Sequence, residues 1–160
     1  MCWVCSVNGA GVRHVLGLLR QRFNYIVVDL PVPLRPAIHP VITLSRHVLV
    51  LLEAEVTGLR NAHALRAAVT NIAGKDRVFT LLNRANRAGG LPTATIVQAL
   101  GAKPDMVIPD LGKGMTQAVN LGIPALQHVS KLRRHLGPIV REIAGIGGER
   151  KGWFRRLLGR

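Results

Sequence analysis

Apolar residues recur along this chain in two alternating rhythms. Val12, Val15, Leu16, Leu19 and Phe23 keep the i, i+3, i+4, i+7 spacing of an amphipathic helix, and the short β-branched run YIVVD follows at 25–29. The pattern then repeats. HVLVLLE at 47–53 is a second strand-like run, followed by Leu59, Ala62, Leu65, Val69 and Ile72 at helical spacing; RVFTLLN at 77–83 is a third. A shorter run, DMVIP at 105–109, is flanked by helical patterns at 93–100 and 113–121. Strands that alternate with helices and are apolar on both faces predict a mostly parallel sheet of about four strands, covered by helices on both sides.

The remaining segments punctuate this pattern. The stretch LPVPLRPAIHP after the first strand reads as a loop. The last helical pattern, Val129, Leu132, Leu136, Ile139, Val140 and Ile143, contains Gly137 and Pro138, which predict a kink or break there. Gly145, Gly147 and Gly148 form a joint before a basic tail. The expected organisation is a short opening segment at 1–11, one α/β domain at 12–145 and a joint with a basic amphipathic tail at 146–160.

Composition narrows the class. The chain has 160 residues, 48% of them apolar and 4% aromatic, which suits one domain with an aliphatic α/β interior. With 22 Lys and Arg against 8 Asp and Glu, its formal net charge of +14 favours an anionic partner: nucleic acid, a phosphorylated ligand or a bilayer. No apolar run is long enough to span a bilayer, and the opening MCWVCSVNGAG lacks the pattern of a signal peptide, so a cytoplasmic location is expected. Cys2 and Cys5 have C-x-x-C spacing but neither a preceding strand nor a second pair, and read as an incidental reduced pair. The six histidines show no metal-ligand spacing.

In open α/β sheets, ligands bind beyond the carboxyl ends of the strands. The residues there are Asp29; Glu53 to Arg60; Asn83 and Arg84; and Pro109 and Asp110. An aspartate at the end of a buried strand needs a partner, which a turn N–H or a hydrated Mg²⁺ beside a phosphate can supply. Asn83 and Pro109 alone would read equally as strand-end turn residues.

Taken in order, FNYIVVDLP, HVLVLLEAEVTGLRNAHAL, VFTLLNRANRAGGLP and MVIPDLGKGMTQAVNLGIPA resemble the second half of the MinD/ParA group of P-loop ATPases, most of all the CpaE/TadZ branch associated with Flp-type pilus assembly. The resemblance covers roughly 12–126 and implies a partial P-loop NTPase fold. It makes Asp29 the Walker B aspartate, close to Mg²⁺ but not bound to it directly. Arg60 falls at a recurrent arginine of the family. The Asn83–Arg84 pair would meet the adenine, whose edge the Asn83 amide reads by donating and accepting at once. Pro109 and Asp110 belong to a loop near the base. The family's cofactors are ATP and Mg²⁺.

The phosphate cradle G-x-x-x-x-G-K-[ST] has no counterpart in these 160 residues. In NGAGVRH there is no lysine, Lys75 precedes Asp76, and Lys113 precedes Gly114 with Val107 where the first glycine belongs. The chain resembles a family member entered at the helix before Walker B, and by itself is expected to bind no ATP or Mg²⁺ productively and to show no turnover. Two readings follow. One is a CpaE-like interaction protein that docks on pilus assembly proteins and membrane, with a homodimer as one arrangement; the other is an ATPase whose P-loop half precedes Met1 or comes from another chain. Non-specific DNA binding ranks last, for want of a reading motif and aromatics.

The tail GERKGWFRRLLGR adds a membrane expectation. On a helix, Trp153, Phe154, Leu157 and Leu158 share one arc, Arg155 and Arg156 lie outside it, and Lys151 sits at its margin. That is the pattern of an interfacial helix, and it resembles the C-terminal membrane-targeting segment of MinD proteins. The implied location is the inner face of the cytoplasmic membrane.

Overall fold

The computed structural model describes residues 8–145. The cysteines at 2 and 5 and the tail residues Lys151, Trp153, Phe154, Arg155, Arg156, Leu157 and Leu158 lie outside them, as do the segment 1–7 and the joint from 146. The chain divides into two compact units, 8–48 with 67–78 and 49–66 with 79–145 among the described residues.

The first unit is helical. Helix α1 (Gly9–Arg20) opens with Asn8 as its cap, whose Oδ1 accepts the Gly11 N–H at 2.8 Å. It packs on helix α2 (His39–Leu44) and on the 3₁₀ turn Pro36–Ile38. Part of the expected Pro-rich loop is therefore helix: Pro40 stands in the first turn of α2, where a missing N–H costs no helical hydrogen bond. Arg77 holds the other end of this unit together by donating from Nη1 to the carbonyls of Thr43 and Ser45, at 3.0 and 2.9 Å.

The expected strand at 25–29 is not formed. A strand exists only as a member of a ladder, and among the described residues the ladder comprises β1 (Val48–Glu53), β2 (Val78–Ala85) and β3 (Met106–Pro109) in the order β1-β2-β3. The sheet therefore has three strands, not four. Residues 23–31 lie largely in solvent, with Val27 97% exposed.

The sheet occupies the second unit. β2 is central and reads as such, with Phe79, Thr80, Leu81 and Leu82 all buried. It pairs in parallel with β3 through Leu81 with Met106 and Leu82 with Val107. Asp105 sets that register: its N–H donates to the Thr80 carbonyl at 2.8 Å, and its Oδ2 accepts the Thr80 N–H at 2.6 Å. β1 and β3 are edges and cover only one face each, so Leu49, Leu51 and Val107 remain exposed where burial on both faces was expected.

Helices connect the strands as the spacing predicts. Helix α3 (Val56–Ala73) joins β1 to β2, α4 (Thr93–Leu100) joins β2 to β3, and α5 (Gly112–Asn120) and α6 (Ala125–His128) follow β3. α4 buries Ile96 and Leu100 and stops at Gly101, whose φ of 66° suits a residue without Cβ. Helix α7 (Ser130–Ala144) then packs Leu132, Leu136, Ile139 and Ile143 against Phe79, Leu81, Met106 and Ile108. The break expected at Gly137 and Pro138 does not occur. Pro138 removes one backbone donor, but the apolar stripe on both sides of it is anchored in the same core and carries the helix through.

Candidate functional site at the carboxyl rim of the sheet

All three strands carry or run into acidic or amide-bearing positions at this end. β1 ends at Glu53, β2 carries Asn83 and Arg84 in its last turn of backbone, and β3 runs out through Pro109 into Asp110. Beyond Leu82 the pairing of β2 with β3 slips, and regular register resumes only at Ala85 opposite Pro109. The slip coincides with a left-handed backbone at Arg84 (φ 52°) and again at Asn86 (φ 61°). A residue with a Cβ adopts that conformation at a cost of about 1–2 kcal/mol, so surrounding contacts must hold it.

Those contacts are visible. The Arg84 guanidinium lies between two carboxylates, 3.8 Å from Glu53 Oε2 through Nη1 and 4.0 Å from Asp110 Oδ1 through Nε. One arginine on the central strand thus links the ends of both edge strands. Asp110 is itself fixed: its N–H donates to the Ala85 carbonyl at 2.9 Å and its Oδ1 accepts the Gly112 N–H at 3.1 Å. Both ion pairs are long and half-exposed, so each contributes at the low end of the range for surface pairs, about 0.2–1 kcal/mol.

An open pocket of about 170 Å³ adjoins this cluster, lined by Glu53, Glu55, Arg84, Arg87 and the turn 88–90. Its wall depends on close backbone approach. Gly90 sits so near the Arg87 carbonyl and Ala54 that an added Cβ would meet them at 3.1 and 3.3 Å, and the Leu91 N–H donates to the Ala54 carbonyl at 2.7 Å. Arg87 reaches Glu55 Oε1 at 3.5 Å across the mouth. Gly58, in the first turn of α3, sits where an added Cβ would meet the Glu53 carbonyl oxygen at 3.2 Å, so the helix begins close to the end of β1.

The structure brings Asn83, Arg84, Pro109 and Asp110 together at one end of the sheet, as the strand-end rule implies. Asp29 stands exposed on the non-strand segment of the first unit. Sequence reading missed three features of the rim: the left-handed Arg84, the Arg87–Glu55 pair and the role of Gly90. The AGG sequence at 88–90 was the available signal for the last.

Among the described residues no group of three or more His, Cys, Asp or Glu is arranged to hold a metal ion. The donor set instead suits a flat heteroaromatic ring: an amide that both donates and accepts, a guanidinium that can stack, and a proline ring. The pocket shares only Arg84 with this set, and its volume is smaller than the few hundred cubic ångströms usual for a whole small-molecule site.

The fold, a small sheet with helical crossovers, is similar to part of the fold of solved MinD cell division ATPases. The chain superposes on MinD, the cell division ATPase of Pyrococcus furiosus, with a TM-score of 0.67 at 17% identity, over 88% of this chain and 60% of that one. The MinC:MinD cell division complex of Aquifex aeolicus matches with a TM-score of 0.67 at 18% identity, over 91% of this chain and 63% of that one. The septum site-determining protein MinD of Pyrococcus horikoshii, in complex with Mg-ADP, matches at 0.66 and 19%, over 87% and 59%. The chain thus spans less than two thirds of the length of each, and at these identities the likeness is one of fold. No family model and no curated protein matches the chain. No described helix is long and apolar enough to cross a membrane.

Proposed function

We propose that the chain is a MinD/ParA-related protein of the CpaE/TadZ type, serving Flp-type pilus assembly through contacts with partner proteins and an anionic membrane surface, and that it hydrolyses no ATP by itself. The observation that carries this reading is the division of the rim's chemistry. Asn83, Arg84, Pro109 and Asp110, the residues this reading assigns to the base, gather at one end of the sheet, whereas no segment of the sequence offers the glycine-rich, lysine-bearing cradle that β- and γ-phosphates require. Phosphate and Mg²⁺ contacts supply most of the transition-state stabilisation in phosphoryl transfer. Asp29 as a Walker B residue has a metal to serve only when that cradle is present.

Partner docking is the activity that remains to such a chain. One of the proteins it resembles in fold occurs in a complex with MinC, which supports contact with a partner protein as the mode of action proposed for this chain. The tail residues Lys151, Trp153, Phe154, Arg155, Arg156, Leu157 and Leu158 would provide reversible attachment at the cytoplasmic face of the membrane.

The test separates base recognition from phosphate recognition. With a fluorescent adenine nucleotide as probe, adenosine and ATP should displace it equally, and Asn83→Leu should weaken both to the same degree. A marked preference for ATP, or turnover above background that Asp29→Ala abolishes, would favour the second reading, an ATPase completed by another polypeptide segment. The membrane contact is tested by co-sedimentation with vesicles containing anionic lipid: Trp153→Glu should weaken binding, and equal binding by both proteins excludes the tail as an anchor.

A further inference from the structure

Two neighbouring features of the second unit are not used by the rim. The first is the corner between α5 and α6. Within the eight residues 119–126, Val119, Leu121, Ile123 and Leu126 are all exposed, the first two by 73% and 65%, and the stretch contains no charged residue. The corner is well defined: Gly122 takes a left-handed φ of 63°, and the Ile123 N–H closes α5 by donating to the Ala118 carbonyl at 3.0 Å. Its apolar side chains are thus presented by a fixed turn.

The second feature is the outer face of α7, the helix that follows and contacts α6. With Leu132, Leu136, Ile139 and Ile143 turned to the core, the 100° step of the helix sends Arg134 and Arg141 to the opposite side and Lys131 and Arg133 to its flanks. All four cations are exposed, and none enters an ion pair among the described residues. Arg141 Nη1 lies 3.6 Å from the Cβ position of Gly137, so its guanidinium lies back along this face. From 112 to 145 there are five Lys or Arg against one acid, Glu142, with two histidines, His128 and His135, and no Phe, Tyr or Trp.

We propose that the α5–α6 corner and the outer face of α7 form a docking surface for an anionic lipid bilayer. Exposed aliphatic side chains on a short rigid turn can enter the headgroup boundary, and uncompensated cations beside them attract the anionic headgroups. Nucleic acid suits the surface less well: its phosphates would meet the arginines, but its bases would find four exposed aliphatic side chains at the corner and no Phe, Tyr or Trp to stack on, His128 being the one exposed ring nearby. The surface shares its partner with the proposed tail anchor but none of its residues, so the two stand or fall separately.

The experiment is flotation of the full chain with vesicles of phosphatidylglycerol and phosphatidylcholine, and with phosphatidylcholine alone. Three pairs of substitutions are compared: Leu121→Asp with Leu126→Asp, Arg134→Glu with Arg141→Glu, and Trp153→Glu with Phe154→Glu. The four positions at the surface are exposed, and circular dichroism with the milder Leu121→Ser and Leu126→Ser pair controls for folding. The full chain should bind only the anionic vesicles. The arginine pair should reduce partitioning at least about thirtyfold, the leucine pair should reduce it as well, and the tail pair should leave a residual binding that the leucine pair then removes. Unchanged binding by the leucine and arginine pairs overturns the proposal, whatever the tail pair does. So does the absence of binding by the full chain at low salt. Loss of duplex DNA binding in the arginine pair with vesicle binding intact would make the face a nucleic-acid surface, and a fall in molar mass of the leucine pair without vesicles would make the corner a protein interface; either result also overturns it.

Discussion

Arg84 combines a left-handed backbone with contacts to two carboxylates, and the balance between these can be measured. Replacement by alanine keeps the strained φ and removes both ion pairs, for a loss of about 0.5–1 kcal/mol at this exposure. Replacement by glycine removes the same pairs but also relieves the φ of 52°. Arg84→Gly should therefore be more stable than Arg84→Ala by about 1 kcal/mol in urea titrations. Equal stabilities would mean that the bend after Leu82 is set by the sheet and not by this residue. Gly90 is a contrasting case. An added Cβ there meets the backbone carbonyls of Arg87 and Ala54, neither of which is the end of a flexible chain, so Gly90→Ala should open the turn at 88–90 and cost about 1–3 kcal/mol. Weaker protection of the Leu91 amide in hydrogen exchange would report it, since its bond to the Ala54 carbonyl spans the same contact.

At the scale of elements, α7 shows how packing overrides a local signal. A proline in a helix interior is about 3 kcal/mol less favourable than alanine, part of which is returned by the stiffer unfolded chain. Pro138→Ala should accordingly raise stability by about 2 kcal/mol without changing the fold, as read from the denaturation midpoint. A loss of stability would show that the proline ring, half-buried here, packs against the sheet more effectively than its missing hydrogen bond costs. The sequence carried α7's apolar stripe and its breaker, but not which would prevail, because that depends on the stripe meeting one core with Phe79, Leu81, Met106 and Ile108 on both sides of the proline. The same limit explains the segment at 25–29. YIVVD has the composition of a strand, yet composition does not supply a neighbour, and the ladder of the described residues closes without it. By contrast, α4 and β3 were legible almost to the residue, since each combines a clear period with a terminating Gly or Pro. At the rim, the positions of Asn83, Arg84, Pro109 and Asp110 followed from the rule that sites form beyond strand ends. The pairing of Arg84 with Glu53 and Asp110 did not, because it joins three strands whose order no local pattern encodes.

For the whole molecule, solubility is a contest between charge and exposed apolar surface. Val27 and Val28 project into solvent from a β-branched run, and the exposed face of β1 adds Leu49 and Leu51 on an edge strand. Exposed edges and β-prone segments of this kind promote association between copies of a chain. Opposing them is a formal net charge of +14, which keeps copies apart only over the distance that salt permits. That distance falls from about 30 Å at 0.01 M to about 3 Å at 1 M ionic strength. The purified chain should thus remain dispersed at low sodium chloride and aggregate faster as the salt is raised. Val27→Lys places a charge in the middle of the exposed run, where it interrupts no core contact, and should slow aggregation at every salt concentration in a light-scattering assay. If the rate is independent of salt, charge is not what holds the copies apart; if Val27→Lys aggregates as fast as the parent, the sticky surface lies elsewhere, and the exposed leucines of β1 become the next positions to charge.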